Sequence, residues 1–577
     1  MSPPEWPPAG TCCIVWQMES VLRIAIEDAL KELGFGPSDF VIEHPTEMSH
    51  GDYATNAAMV LAKEAGKNPR EIAESLKEKL DGQIEYISKI DVAGPGFLNF
   101  YLHRDFFAGE VARISRDGEE WGKNDLWADK KVLVEYTDPN PFKEFHIGHL
   151  FTNAVGESIA RLFMFSGADT KRVNYQGDVG MHVANAIWGM KQAGIIVGSD
   201  FTAKELGAAY AKGAIAYKED EVAAEEIRKI NKAIYERNDQ AINELYDEGR
   251  QVSLDYFEAI YQIVGTKFDY YFFESEAGPR GRDLVLANPD IFPESDGARI
   301  FEGEKYGLHT RVFINKEGLP TYEAKELALA KLKEEAVGEY DHSVICTANE
   351  ISEYFKVLLK AMSFVYPKLT KKTEHVGHGM VRLVTGKMSS RTGDVISAAD
   401  FINDIAAAAE AKLTEGGKSF DSKIAEQIAI GAIKYATLKS NIRLDSVFDK
   451  EKALSFEGDS GPYLQYTHAR ICSVLGKAKA AGVEPGISKL PEETYEVEKW
   501  LYQFPEVVEE ALLERSPHLV TVYLTKLAGA FNTFYANEKI ADATDEFAPY
   551  KVVVADSVRQ TLKNGLWVLG IEAPEKM

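Results

Sequence analysis

The segment KVLVEYTDPNPFKEFHIGHL, Lys131–Leu150, runs from nearly continuous apolar residues into a pair of histidines. Val132, Leu133 and Val134 suit a strand covered on both faces, as in a parallel sheet. TDPNP then brings the turn-forming residues that end a strand. From Ile147 to Phe165 apolar residues recur at helical spacing, and KRVNYQGD, Lys171–Asp178, supplies a second strand. This is a βαβ unit with HIGH, His146–His149, at the carboxyl end of its first strand. In open α/β sheets ligands bind at that end, and helix N-termini favour anions. His146 and His149 lie one helical turn apart and can face one crevice. Gly148 lets a phosphate or a flat ligand face approach the backbone. Both imidazoles can donate to phosphate oxygens whose charge grows in a transition state. Taken alone, the pair reads equally well as polar residues opening a helix.

Outward from this unit, the α/β pattern returns with RVFINKEG (Arg311–Gly318), DHSVICTA (Asp341–Ala348) and TEHVGHGMVRL (Thr373–Leu383). Between the second and the later strands, Ala203–Val264 is charged and helical, and an insertion is expected at about 190–290. After the last strand comes GKMSSRTGDV, Gly386–Val395. Lys387 offers a point charge, while Ser389, Ser390 and backbone N–H groups can wrap a pyrophosphate. A solvated loop is the plainer reading of that piece by itself.

On the N-terminal side, Leu22, Ile26 and Leu30 mark a helix, and DVAGPGFLNFYL, Asp91–Leu102, alternates like a strand. A small α+β domain is therefore expected over 18–105, preceded by a disordered leader at 1–17. MSPPEWPPAGTCCIVWQ lacks a basic n-region and does not read as a signal peptide. After about Ala398 the pattern is helical, with a connector at 401–454 and an all-α domain at 455–577.

Composition narrows the class. A chain of 577 residues suggests about three domains. Four cysteines, Cys12, Cys13, Cys346 and Cys472, form neither a CxxC pair nor a disulfide framework, which fits a cytoplasmic location and no metal cluster. No apolar run approaches the length of a membrane span. The formal net charge of −25 argues against indiscriminate coating of nucleic acid, though not against one basic track.

HIGH and KMSSR together resemble the signatures of class I aminoacyl-tRNA synthetases, HIGH and KMSKS. KMSSR keeps Lys387, Met388 and Ser389 but has Arg391 where the standard motif has serine. VEYTDPNPFKEFHIGHL, RVNYQGDVGMHVA, PTYEAKELALA, GPYLQYTHARI and LGIEAPEKM resemble, in order, segments of the arginyl-tRNA synthetase family. HGDYATNAA and AGPGFLNFYL resemble its N-terminal domain. The resemblance implies a multidomain α/β protein with a Rossmann-like parallel-sheet catalytic core at 130–400. It also implies ATP-dependent activation of L-arginine to an adenylate, then transfer to the terminal ribose of tRNA(Arg), by a monomer. ATP is a substrate and Mg2+ accompanies it, with no protein ligand for the metal named.

By the same resemblance His146, His149, Lys387 and Lys143 are catalytic, and Gly148, Met388 and Ser389 join them at ATP. Glu135, Asp138, Asn140, His149, Tyr322 and Glu326 line the arginine pocket. Phe97 and Asn99 meet the tRNA elbow, and Arg470 meets the tRNA from the anticodon-binding domain. Glu326 departs from the aspartate common in the family, and TANEISEYF departs further, leaving Asn349 and Glu350 as candidates for adenosine or arginine contact. Without the resemblance, Glu326 reads as a surface charge, Lys143 as a solvated loop lysine, and Tyr463, Tyr466 and His468 as core packing. Three rivals remain open: a small-molecule nucleotidylyltransferase, another class I synthetase, and a tRNA-binding protein without catalysis.

Overall fold

The apolar run at Lys131–Glu135 is the middle strand of a five-stranded, all-parallel sheet. The structure, a computed structural model, describes residues 18–384, 396–414 and 422–577. The strand order is Thr373–His378, His342–Ala348, Lys131–Glu135, Asp169–Gln176, Tyr270–Phe273. The chain moves outward from the middle strand on one side, then crosses and continues on the other. Its switch point is therefore the carboxyl end of Lys131–Glu135, where such sheets bind ligands. Val132, Leu133 and Val134 are fully buried, which is why this strand lacks polar alternation.

Two expectations about strands need correcting. The range about 190–290 holds the helices Ala203–Glu219, Glu221–Glu236 and Gln240–Ile263, but also Tyr270–Phe273, the edge strand of the core sheet. Four aromatic residues between Asp269 and Glu274 carry no strand period long enough to be read. Arg311–Ile314 is a strand, yet it pairs antiparallel with Ala298–Phe301 in a separate three-stranded sheet. Local pattern reveals a strand but not its partner.

The connection from the middle strand to the helix Ile147–Phe165 is strained and tightly held. Thr137, Asp138 and Phe142 have φ of 78°, 44° and 67°. Each such residue costs about 1–3 kcal/mol and persists only where its surroundings over-determine it. The Thr137 hydroxyl accepts from Asn153 Nδ2 (3.1 Å), Asp138 Oδ1 accepts from the Tyr175 N–H (2.8 Å), and the Phe142 N–H donates to Ser253 Oγ (2.9 Å). The helix, the next strand and the insertion thus each hold one strained residue. Asp178 adds a further tie, accepting from Tyr246, Arg250, and the N–H and hydroxyl of Ser275.

The helix Ile147–Phe165 is buried along most of its length. Glu157, on this helix, accepts from the Tyr136 hydroxyl, Arg161 Nε (2.7 Å) and Arg172 (3.2 Å). Arg161 also donates to the carbonyls of Trp567 (2.9 Å) and Gly265 (3.0 Å). The buried Lys434 donates to those of Val264 and Gly570, both at 2.6 Å. Two cations therefore cap the carboxyl ends of the insertion helix Gln240–Ile263 and the last helix Ala548–Val568, where orphan carbonyls carry partial negative charge.

The described residues cluster into two compact units. One comprises residues up to Trp121 with 474–506 and 530–560; the other comprises the rest. The smaller unit carries an antiparallel sheet in the order Ile42–Glu43, Tyr53–Thr55, Phe97–Leu102, Ile87–Ala93. Leu98, Phe100 and Leu102 alternate into a core that also contains Ile26, Leu76 and Tyr502. Glu506 accepts from Tyr53 (2.7 Å) and pairs with His44 (2.7 Å), and Arg104 pairs with Glu498 (2.9 Å). Residues from the helical region expected at 455–577 are thus shared between the units, which periodicity could not reveal. Among the described residues no helix is long and apolar enough to cross a membrane.

The contact that seats the HIGH-bearing helix is testable. A Cβ placed on Gly156 would lie 2.2 Å from Tyr136 Cβ and Cγ, inside the closest packing the sheet allows. Gly156→Ala should lower stability by about 1–3 kcal/mol through overpacking. Urea denaturation followed by tryptophan fluorescence would show a lower midpoint; an unchanged midpoint would mean that helix and strand separate without cost.

Candidate active site

His146 is the N-cap of its helix, and its Nδ1 accepts the N–H of Gly148 at 3.1 Å. His149 Nδ1 in turn accepts the His146 N–H at 3.3 Å. Both Nδ1 atoms being acceptors, each neutral ring carries its proton on Nε2. The rings stack with centroids 3.7 Å apart and planes inclined by 16°. Burial, with the nearby Lys143 charge, pulls His146 down to about 4. Burial, His146 and Lys143 together hold His149 well below the usual histidine range. At neutral pH the motif is therefore a pair of fixed, uncharged N–H donors.

Gly148 has a steric role that its sequence did not disclose. A Cβ there would sit 2.9 Å from Nδ1 and Cε1 of His146, so any side chain would push that imidazole from its cap. Ile396–Ala398 runs antiparallel to this corner: Ile147 N donates to Ile396 O (3.3 Å) and Ala398 N to Phe145 O (2.7 Å). Lys387, Met388, Ser389 and Arg391 lie outside the described residues.

A second cluster, rich in carboxylates, occupies the carboxyl ends of the first two core strands and the helix Tyr322–Val337. Glu135 is buried at the end of the middle strand and pairs with Lys333 Nζ at 2.5 Å. Desolvation and then the Glu135 charge push Glu326 up to about 8. Burial and then Glu135 hold Asp138 well above the ordinary carboxylate range. Glu326 is thus a member of the acidic cluster rather than a solvated surface charge.

Glu274, at the start of the helix Glu274–Ala287, belongs here too and was not singled out from sequence. It pairs with the buried Lys325 at 2.5 Å. Gly177 explains how Asn140 reaches the same place: a Cβ there would lie 2.3 Å from Asn140 Oδ1 and 3.2 Å from Glu274 Oε1. Burial lowers the pKa of Lys143 while Glu274 opposes it, and the ammonium stands over the Tyr210 ring at 4.8 Å. Tyr322 opens the helix that bears Glu326; its ring is 62% exposed, with Lys325 over it at 5.3 Å.

Lys325 and Lys333 were missed because YEAKELALAKLKEE looks like a solvated charged face. The legible signal was spacing: Tyr322, Glu326 and Lys333 are four and seven residues apart, hence on one helical face. Asn349 and Glu350 lie on an exposed 3-10 turn directly after the strand His342–Ala348.

The expected tRNA contacts belong to other elements. Phe97 and Asn99 lie on one face of the central strand of the N-terminal sheet. Asn99 is 5% exposed, between Ala54 and Asp91. On the helix Gly461–Ala480, Arg470 stands over the Tyr466 ring at 4.8 Å. His468 is buried and bonds the Pro574 carbonyl at 2.9 Å, so it is a packing residue.

Comparison with known proteins agrees with this arrangement. The family model described as "tRNA synthetases class I (R), catalytic domain" matches residues 111–450. "Arginyl tRNA synthetase N terminal domain" matches 20–102, and "DALR anticodon binding domain" matches 464–577. Arginine–tRNA ligase of Clostridium perfringens is 30% identical over 551 residues, covering 93% of this chain and 96% of that protein. The Clostridioides difficile enzyme of that name is 31% identical over 573 residues, covering 96% and 99%. The solved arginyl-tRNA synthetase of Thermus thermophilus superposes with a TM-score of 0.79 at 26% identity, covering 97% of this chain and 100% of that one. A family model spanning more than half of the chain, and relatives at 30% identity or more along nearly its whole length, lead to one conclusion: the chain belongs to the arginyl-tRNA synthetase family.

Proposed function

We propose that this chain is an arginine–tRNA ligase whose two clusters divide one substrate pair between them. The histidine corner takes the phosphates of ATP, and the carboxylate cluster takes the guanidinium of L-arginine. The observation that carries this reading is the convergence of Glu135, Asp138 and Glu326 at the switch point of the sheet, beside two neutral histidines. Three carboxyl groups crowded around one spot suit a planar cation with five donors that stays protonated throughout the accessible pH range.

In this reading the arginine carboxylate attacks the α-phosphorus of ATP and pyrophosphate leaves. Negative charge moves onto phosphate oxygens, and the Nε2–H groups of His146 and His149 donate to them. Because both rings are neutral and already fixed, they reorganise little as charge develops, which is the condition for strong electrostatic catalysis. Their low pKa values rule them out as general acids at neutral pH, so their work is donation. Lys143 brings a positive charge to the same corner, and Lys387 is assigned with Met388 and Ser389 to the pyrophosphate by resemblance. Mg2+ enters on the oxygens of ATP, without an assigned protein ligand. The aminoacyl group then passes to the terminal ribose of tRNA(Arg), held by the N-terminal domain at 18–105 and the anticodon-binding domain at 455–577. Phe97, Asn99 and Arg470 remain the proposed tRNA contacts, and a monomer the proposed state.

The direct test is aminoacylation with ATP, magnesium, total tRNA and each amino acid separately. Arginine alone should become tRNA-linked; charging of another amino acid, or of none, would overturn the reading. His149→Ala should lower adenylate formation about 100-fold or more, the usual scale for losing a preorganised donor, with tRNA affinity nearly unchanged. Survival of activity within a few-fold would remove this histidine from catalysis.

A pH dependence follows from Glu326. Below about pH 8 its carboxyl is protonated in the empty pocket, whereas a guanidinium binds the ionised form. Arginine binding then releases a proton, so the KM for arginine should fall as pH rises from 7 to 9. Glu326→Gln should raise that KM more than the KM for ATP and flatten its pH dependence. Equal loss toward both ligands would place Glu326 outside the arginine pocket.

A further inference from the structure

Lys333 stands out among the groups to which the reaction above gives no task. Its side chain is 3% exposed, and its ammonium faces Glu135, with Glu326 and the Tyr340 hydroxyl also in its field. Burial works against its charge, but Glu135 and Glu326 outweigh that and raise its pKa. Nζ lies 2.5 Å from Glu135 Oε2, a short ion pair between two buried side chains. One ammonium cannot occupy every lone pair of two carboxylate oxygens, so Glu135 keeps acceptor capacity for a second donor.

The groups near Glu135 are Asp138 from its own loop, Tyr175 from the neighbouring strand, Tyr340, and Glu326 and Lys333 from the helix Tyr322–Val337. Among these Lys333 is the single cation. Without it, the buried Glu135 would lose its paired charge while Asp138 and Glu326 stay crowded beside it, and a carboxylate left without its partner is free to turn away from the ligand.

We infer that Lys333 is a positioning residue for arginine selection, holding the Glu135 carboxylate in one place through a buried ion pair so that its remaining lone pairs accept the guanidinium. The inference rests on the arginine-ligase reading of this pocket and adds the residue that holds its carboxylate. It has a specificity consequence. Arginine needs Glu135 as an anion, whereas citrulline, with a neutral ureido group, gains little from that charge. Lys333 therefore widens the gap between the two ligands without touching either.

Isothermal titration of the full-length chain with arginine, citrulline and ATP tests this. Lys333→Met should weaken arginine binding at least about 10-fold, the order expected when a buried charge loses its partner. Citrulline should change less than about 3-fold, and ATP less than about 2-fold. Lys333→Arg, which keeps the charge, should stay within about 3-fold of wild type for arginine. The double variant Lys333→Met with Glu135→Gln should lose no more than the worse single one, because the two act as one unit. Additive losses, a parallel loss of ATP binding, or unchanged arginine affinity would each overturn the proposal. If Lys333→Met does not fold, Lys333→Gln, with a donor but no charge, takes its place; it should lose the same factor, and the same three results would overturn the proposal. A wild-type chain that binds no arginine would instead sink the ligase reading, an outcome visible before any variant is made.

Discussion

Glu157 is a buried carboxylate on which the larger unit converges. It takes the hydroxyl of Tyr136 at the end of the middle strand and the guanidinium groups of Arg161 and Arg172. Burial alone would raise its pKa, yet Arg161, Lys434 and Arg172 hold it below the usual carboxylate range, so it is ionised. Once charged it fixes two of the cations around it, and Arg161 also donates to the carbonyls that end the insertion helix and the last helix. Breaking such a centre from one side leaves uncompensated buried charge, which costs about 3–5 kcal/mol. The HIGH-bearing helix is thereby held from behind, while its N-terminus stays free to present His146 and His149.

That rigidity accounts for the strained corner in front. Thr137, Asp138 and Phe142 hold left-handed backbone because three separate elements each bond one of them. The strain turns the chain sharply enough for Asp138 and Asn140 to reach the carboxylate cluster while His146 caps the following helix. The two clusters then differ in electrostatic character. One holds neutral, oriented donors suited to phosphate; the other holds more carboxyl groups than nearby ammonium groups can neutralise. Lys143 lies between them, in the field of Glu274 and within reach of the histidine corner.

Much of this was legible from sequence because it depends on local order. The consecutive apolar residues Val132–Val134 identified a buried parallel strand, and HIGH marked the strand-to-helix corner. Glu135, Asp138 and Asn140 follow one another within that corner, so placing one placed the rest. Tyr322 and Glu326 were readable as neighbours on one helical face. Glu274 and Lys325 were not, because their pairing joins residues far apart in the chain. The depth of Asn99 was not legible either: alternation assigns a face but not how deeply Ala54 and Asp91 enclose it.

What the amino-acid order determined by itself was the kind of chemistry and the stretches that carry it. Backbone period, turn residues and motif spacing are properties of neighbours along the chain. What only the tertiary structure decided were protonation and partnership. His146 and His149 are neutral donors because of burial, Lys143 and two backbone N–H groups. Glu326 is a weak acid because its carboxyl is desolvated with Glu135 beside it, and Lys333 can be buried because that same Glu135 carboxylate compensates its charge. Desolvation and Coulomb interactions depend on distance in space, and no spacing along the chain encodes that.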